Sequence, residues 1–185
     1  MKLLKLAVIA LFTLGIVSNA NAQDENNPIA VGFGVNVIDL SDYPGSTQNW
    51  NFLGSLSRVS YDKYLEKGFT LQSAITVNNL TKDGVDGDSM EKALYWSADL
   101  SVKYDLNNLV GETTQWFDPY VFIGGSYVNV GDASEGMLNL GAGFNTWFTE
   151  NIGLNTQLSY RKGFSDEVAE HWQPSLGLVY RFGGK

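Results

Sequence analysis

Over residues 30–38 the chain alternates, with Val31, Phe33, Val35 and Val37 on one face and Gly32, Gly34 and Asn36 on the other. A period of two belongs to a strand and not to a helix. The same beat returns farther along. Phe69, Leu71, Ile75 and Val77 oppose Thr70, Gln72, Ala74, Thr76 and Asn78, and Leu94, Trp96, Ala98, Leu100, Val102 and Tyr104 oppose Tyr95, Ser97, Asp99, Ser101 and Lys103. Leu138, Leu140, Ala142 and Phe144 then oppose Asn139, Gly141, Gly143 and Asn145. Ile152, Leu154, Thr156, Leu158 and Tyr160 oppose Asn155, Gln157, Ser159 and Arg161. Trp172, Leu176, Leu178, Tyr180 and Phe182 oppose Gln173, Ser175 and Arg181. Residues 119–130 also read as a strand, although both faces are apolar. Within residues 50–65, Arg58 sits among Leu56, Val59 and Tyr61, the faces do not sort cleanly, and a bulge is expected. Eight strands result.

These strands run to about 10–12 residues, the length that crosses a bilayer at a steep tilt, whereas strands of soluble sheets average five or six. The expected connections alternate in length. Residues 39–49, 81–93, 131–136 and 163–171 are polar, while 66–68 and 149–151 are tight. Outer-membrane barrels have this asymmetry, with short periplasmic turns and longer external loops. The long connection 105–118 is an exception on the periplasmic side. Aromatic residues gather toward strand ends, where interfacial girdles would sit: Trp96, Tyr104, Trp147, Tyr160, Trp172, Tyr180 and Phe182, with Tyr64, Phe69, Trp116, Phe117, Tyr120 and Phe148 beside them.

The first 22 residues stand apart. Lys2 and Lys5 precede an apolar run over residues 6–17, and Ala20-Asn21-Ala22 follows. This is the order of a secretory signal peptide, too short to span as a helix. Cleavage is expected after Ala22, leaving residues 23–185 as one barrel domain. No Cys follows the signal, so a lipid-anchored lipoprotein is excluded, and no disulfide framework is available to staple the fold.

Composition sharpens this picture in two places. The formal net charge of −8 becomes two units more negative once the signal's lysines are removed, which argues against nucleic acid as a partner because no basic stripe exists to neutralise phosphates. The mean hydropathy of −0.11 is compatible with a membrane barrel, in which only alternate residues face lipid.

Four segments then carry a resemblance: Ala30-Val31-Gly32-Phe33-Gly34-Val35-Asn36, Lys103-Tyr104-Asp105-Leu106-Asn107-Asn108, Trp116-Phe117-Asp118-Pro119-Tyr120 and Tyr180-Arg181-Phe182-Gly183-Gly184-Lys185. In order and spacing the chain resembles the OmpA-type, OmpX-like family of small outer-membrane barrels over essentially its whole mature length. The resemblance implies an eight-stranded antiparallel up-and-down transmembrane barrel with both termini in the periplasm. It also implies the long connection before Trp116. Many such proteins continue into a peptidoglycan-binding domain. This chain stops at Lys185, so it is more similar to the stand-alone barrel type, with Phe182 near the end as part of an assembly signal.

The inventory for catalysis is short: one His, no Cys, no phosphate loop, no zinc spacing and no nucleophile elbow. His171 lies near Ser165, Asp166, Glu167 and Glu170. A lipid-modifying barrel enzyme using His and Ser is therefore an alternative, set against an exposed loop histidine beside Trp172. Residues 82–91 are acidic with a spacing that only poorly matches a calcium loop, so a solvated hairpin loop is the simpler expectation. No cofactor, metal site or catalytic residue is expected.

Arg58, Asp99, Lys103, Arg161 and Arg181 are expected inside the barrel, together with Gln72, Asn139, Asn145, Asn155 and Gln157. Eight strands leave room for little more than side chains, which favours a paired polar plug over an open pore. The expected role is envelope integrity or surface interaction in the outer membrane, not general porin activity. The expected partners are outer-membrane lipid, the periplasmic chaperone and barrel-assembly machinery, and an unidentified surface partner reached through the external loops. A soluble periplasmic ligand-binding barrel remains the other rival.

Overall fold

The computed structural model describes residues 27–44, 47–83, 88–110, 116–165 and 167–182. The expected signal peptide and its cleavage point lie outside them, as do residues 84–87 of the acidic loop. Nine strand segments follow in chain order: β1 (Ile29–Asp39), β2 (Trp50–Phe52), β3 (Arg58–Glu66), β4 (Phe69–Asp83), β5 (Asp88–Asp105), β6 (Phe117–Val130), β7 (Ala133–Trp147), β8 (Ile152–Gly163) and β9 (His171–Phe182). Strands β3 to β9 pair antiparallel with one another in sequence, β1 pairs with both β2 and β3, and β1 also pairs with β9, from Ile29 opposite Phe182 to Asp39 opposite Trp172. The sheet is therefore closed on itself. β2 and β3 are two pieces of one wall, since both pair with β1, at residues 37–39 and 29–34 respectively. Eight walls make the barrel.

The irregularity expected in the second wall is an interruption over residues 53–57, longer than a one-residue bulge, with Gly54 at φ +75°. Side chains and backbone groups on either side bridge the break. Ser57 N–H donates to the Gly34 carbonyl at 3.0 Å, the Ser57 carbonyl accepts from Val77 N–H at 2.8 Å, and Ser57 Oγ accepts from Asn36 N–H at 2.9 Å. Asn51 Oδ1 accepts from the amides of Thr81 and Lys82 at 2.7 and 2.9 Å. These contacts tie the broken wall to β1 and β4.

Two of the expected long connections are shorter than the sequence reading. Only Gly131 and Asp132 separate β6 from β7, and β4 and β5 extend to Asp83 and Asp88. The polar residues assigned to these loops continue the ladder, with Asn129 opposite Ser134 and Lys82 opposite Ser89. Polarity marks where the apolar band stops, whereas hydrogen bonding between neighbouring walls carries on past it. At the opposite end, Lys67 and Gly68 take φ of 52° and 82°, the two positive values that a tight hairpin turn matched to strand twist requires. The long 105–118 connection contains the short helix α1 (Asn107–Val110). Asn107 ties it down by donating from Nδ2 to the Phe117 carbonyl at 2.9 Å.

The alternation read from the sequence holds around the barrel. Phe33, Ile75, Leu100, Ile123, Leu140, Leu176 and Leu178 form the middle of an exposed apolar belt. Aromatic pairs border it at both ends. Trp96 packs on Tyr127 and Tyr160 on Trp172 toward the loops, while Phe69 packs on Tyr104 and Tyr180 on Phe182 toward the termini. The wall with two apolar faces, β6, turns Val121, Ile123 and Tyr127 outward and buries Tyr120, Phe122 and Val128 inside. Tyr120 pairs directly with Gly143 and Phe122 with Gly141. A Cβ at either glycine would lie 2.6 Å from the facing ring or hydroxyl, so the small residues of β7 make room for the aromatic side chains of β6.

Candidate functional site

Inside the barrel the most densely charged level centres on Asp99 of β5. Arg161, from β8, meets it with two hydrogen bonds, Nη1 to Oδ1 at 2.8 Å and Nη2 to Oδ2 at 2.9 Å. Arg58, from β3, reaches the same carboxylate at 3.2 Å and also donates to Thr76 Oγ1 at 3.0 Å. Three separate walls thus converge on one carboxylate, and all three side chains are at least nine-tenths buried. Fork-shaped guanidinium groups suit this shared geometry because each can occupy one edge of the carboxylate. One level nearer the termini, Lys103 Nζ pairs with Asp62 Oδ2 at 2.6 Å and lies 4.4 Å from the centre of the Tyr120 ring. Gln72 joins the two levels, donating to Asp62 at 2.8 Å and accepting from Arg58 at 3.4 Å.

Arg181 belongs to a different place. At the terminus end it stacks over the Trp147 ring at 4.1 Å and donates to the Glu150 carbonyl. Trp147 is fully buried, so its expected position in an outer girdle is corrected. It shares the parity of Asn139 and Asn145, which points inward, and its indole N–H donates to Asp118. Tyr120 is likewise inside, donating to Gln157 at 3.2 Å. Of the other named aromatics, Trp96, Tyr180 and Phe182 are exposed, and Tyr104, Tyr160 and Trp172 are half-buried on the outer face.

The interior changes character toward the loops. Ile38, Leu80, Tyr95, Val128 and Met137 form an apolar cluster, and Val168 from the β8–β9 connection packs into it. Glu135 holds that connection in place by accepting the amide protons of Ser165 and Val168, the latter at 2.9 Å. A cavity of about 240 Å³ remains among Ile38, Leu40, Leu80, Val130, Val168 and Ala133, floored by Tyr95 and His171. A larger hollow, about 680 Å³, lies on the outer surface over Trp50, Phe144, Pro174 and Leu176 and does not belong to the interior.

His171 is the first residue of β9 and is fully buried, which corrects the exposed loop histidine. Its Nδ1 lies 2.9 Å from the Ala169 carbonyl and its Nε2 3.1 Å from the Tyr95 hydroxyl. Because a carbonyl only accepts, Nδ1 carries the proton and the neutral ring accepts from Tyr95 at Nε2. Neither nitrogen is directed at a serine.

Sequence reasoning missed Asp62, Glu135 and Asp118, and placed Tyr120 among the interfacial aromatics. Asp62 was legible by parity, lying four residues from Arg58 on the same strand face. Glu135 was hidden because residues 131–136 read as a loop.

No protein-family model matches this chain, and no curated protein matches it either. Solved structures do. The chain is similar to the outer membrane protein OprG of Pseudomonas aeruginosa, at 12% identity, TM-score 0.61, covering 89% of this chain and 100% of that one. It is similar to the N-terminal β-barrel domain of Pseudomonas aeruginosa OprF at 17% identity and TM-score 0.56, and to Neisserial surface protein A at 15% identity and 0.56, each covering 85% of this chain and 98% of the other. The fold is that of an outer-membrane β-barrel. At these identities the likeness concerns the fold alone, and the barrel's interior must be argued from its own residues.

Proposed function

We propose that this chain is an integral outer-membrane barrel, with both termini on the periplasmic side, that serves envelope integrity or surface interaction and does not act as a general porin or an enzyme. The observation that carries this reading is the inverted distribution of polarity: an exposed apolar belt outside, and Asp99 bound by Arg58 and Arg161 across the inside. A soluble barrel would leave the exposed Ile75, Leu100, Leu140 and Leu178 in water, whereas lipid accommodates them. The pairing of charges from opposite walls favours a closed plug, because opening a water-filled path means separating groups that satisfy one another.

The OmpX-like arrangement of segments supports a barrel of the OmpA type. In this reading the partners are lipid, the assembly and chaperone machinery during export, and a surface partner met by the loops. A lipid-modifying role is disfavoured by His171, whose two nitrogens are engaged by Tyr95 and Ala169. His171→Ala should leave lipid A and phospholipid profiles unchanged.

The decisive experiment is gel mobility of the detergent-extracted outer-membrane fraction with and without boiling, followed by conductance in planar bilayers. The expected result is a mobility shift on boiling and no sustained porin-like conductance. A soluble, unshifted protein sinks the membrane reading, and stable open-channel currents sink the plug.

A further inference from the structure

Below its mouth the barrel is crossed by paired charges, Asp99 with Arg58 and Arg161 and Asp62 with Lys103, yet at the loop end apolar side chains converge from separate walls and leave a hollow. Ile38 comes from β1, Leu80 from β4, Val130 from β6, and Val168 is set among them by the Glu135 carboxylate. We propose that this cavity is a binding site for a small, uncharged, apolar molecule, admitted from the loop end and held there without passing through the barrel.

Three features define the ligand. An apolar cavity of about 150 Å³ is known to stay dry and take up benzene, so about 240 Å³ accommodates a molecule of about ten non-hydrogen atoms. The floor offers little to a polar group, because the Tyr95 hydroxyl and both His171 nitrogens already have partners. The rim is acidic, with Glu167 lining the cavity and Glu135 beside it, which repels anions.

The site is blind for a structural reason. Asp99 follows Tyr95 on the inward face of β5, farther from the loops, so its ion cluster with Arg161 and Arg58 lies beneath the floor. Passage would require an apolar molecule to separate buried charges, which costs several kcal/mol per ion exposed to an unpaired environment. Binding and release through the same opening need no such separation.

The test uses the full mature chain in lipid nanodiscs, with naphthalene as the probe and methyl-labelled Ile, Leu and Val observed by NMR. Saturable shifts of the Ile38, Leu80 and Val168 methyl groups are expected, with the methyl groups of the outer belt shifting only in proportion to total naphthalene. Ala133→Phe fills the hollow from β7 and should weaken binding at least about tenfold. Val168→Trp does the same from the connection, outside the strand ladder, in case the first variant does not assemble. Shifts that never saturate at these three residues, or equal affinity in both filled variants, overturn the proposal. Boiling-dependent gel mobility on the same samples reports the barrel separately, so loss of the pocket is distinguishable from loss of the membrane fold.

Discussion

At the level of Asp99 the interior is crossed by ion pairs from three walls, whereas nearer the loops Ile38, Leu80, Val128 and Met137 meet only through apolar contact and leave space unfilled. The two regions share one architecture and the same inward parity, so the difference lies in what neutralises the inside of a narrow barrel. Charges at the centre are tolerable only as a complete set, since each carboxylate or guanidinium depends on partners supplied by another wall. Apolar residues at the mouth impose no such requirement. They can be displaced individually, and a void among them is a modest loss of dispersion contact instead of an unpaired charge. The centre is therefore suited to rigidity and the mouth to exchange.

The largest effect should come from breaking the centre. Asp99→Ala leaves Arg58 and Arg161 without their shared carboxylate and should cost about 3–5 kcal/mol, read as a lowered unfolding midpoint in detergent titrated with urea. If Asp99→Ala unfolds at the wild-type midpoint, the interior charges are not a coupled plug. Arg58→Ala should also destabilise, by less, because Arg161 still covers Asp99 with two hydrogen bonds.

A second test sharpens the idea that pairing matters more than charge. Lys103→Ala strands Asp62 and should be clearly destabilising, by about 3 kcal/mol. The double substitution Asp62→Leu with Lys103→Leu removes both charges together and should recover most of that loss. If the double variant is no more stable than the single one, the pair contributes through something other than mutual neutralisation.

At the mouth the expected penalties are smaller. Leu80→Ala enlarges an existing cavity and should cost about 2 kcal/mol, the low end for a buried leucine, while retaining the heat-dependent mobility. A loss as large as that of Asp99→Ala would erase the distinction between the two regions.

The smallest effect lies outside the barrel wall. Glu170 in the β8–β9 connection has its carboxyl held below the usual range by the Lys162 ammonium at 2.7 Å and then by the Tyr160 hydroxyl. A lowered folded value means that its contribution is present above the ordinary carboxylate range and is lost as pH falls through the lowered value. Both partners are solvent-exposed, so the contribution is slight. Glu170→Gln should flatten the acid side of the stability profile by a small amount and change nothing at neutral pH beyond the loss of that pair. An unchanged acid limb removes Glu170 from the account.

Much of this arrangement was legible by parity. Phe69, Leu71, Ile75 and Val77 face outward as their alternation required, and Asp99, Lys103 and Arg161 face inward. The same rule, applied without regard to residue type, also places Asp62 and Trp147 inside. Trp147 was assigned to the surface because tryptophan favours membrane interfaces, yet Arg181 and Asp118 give its ring and N–H partners within the barrel. A local preference gave way to a complete set of contacts.

Period-two patterning by itself determined the number of walls, the faces of those that alternate cleanly and the apolar belt, because side-chain direction along a strand depends only on neighbouring residues. Only the tertiary structure decided which inward residues meet. Arg58 is 41 positions from Asp99 and Arg161 is 62, and their encounter depends on the register of every intervening wall and on closure between β1 and β9. The mouth cavity has the same origin: nothing local to Ile38, Leu80, Val130 or Val168 states that these residues reach one height in the barrel, because height is a property of the closed sheet.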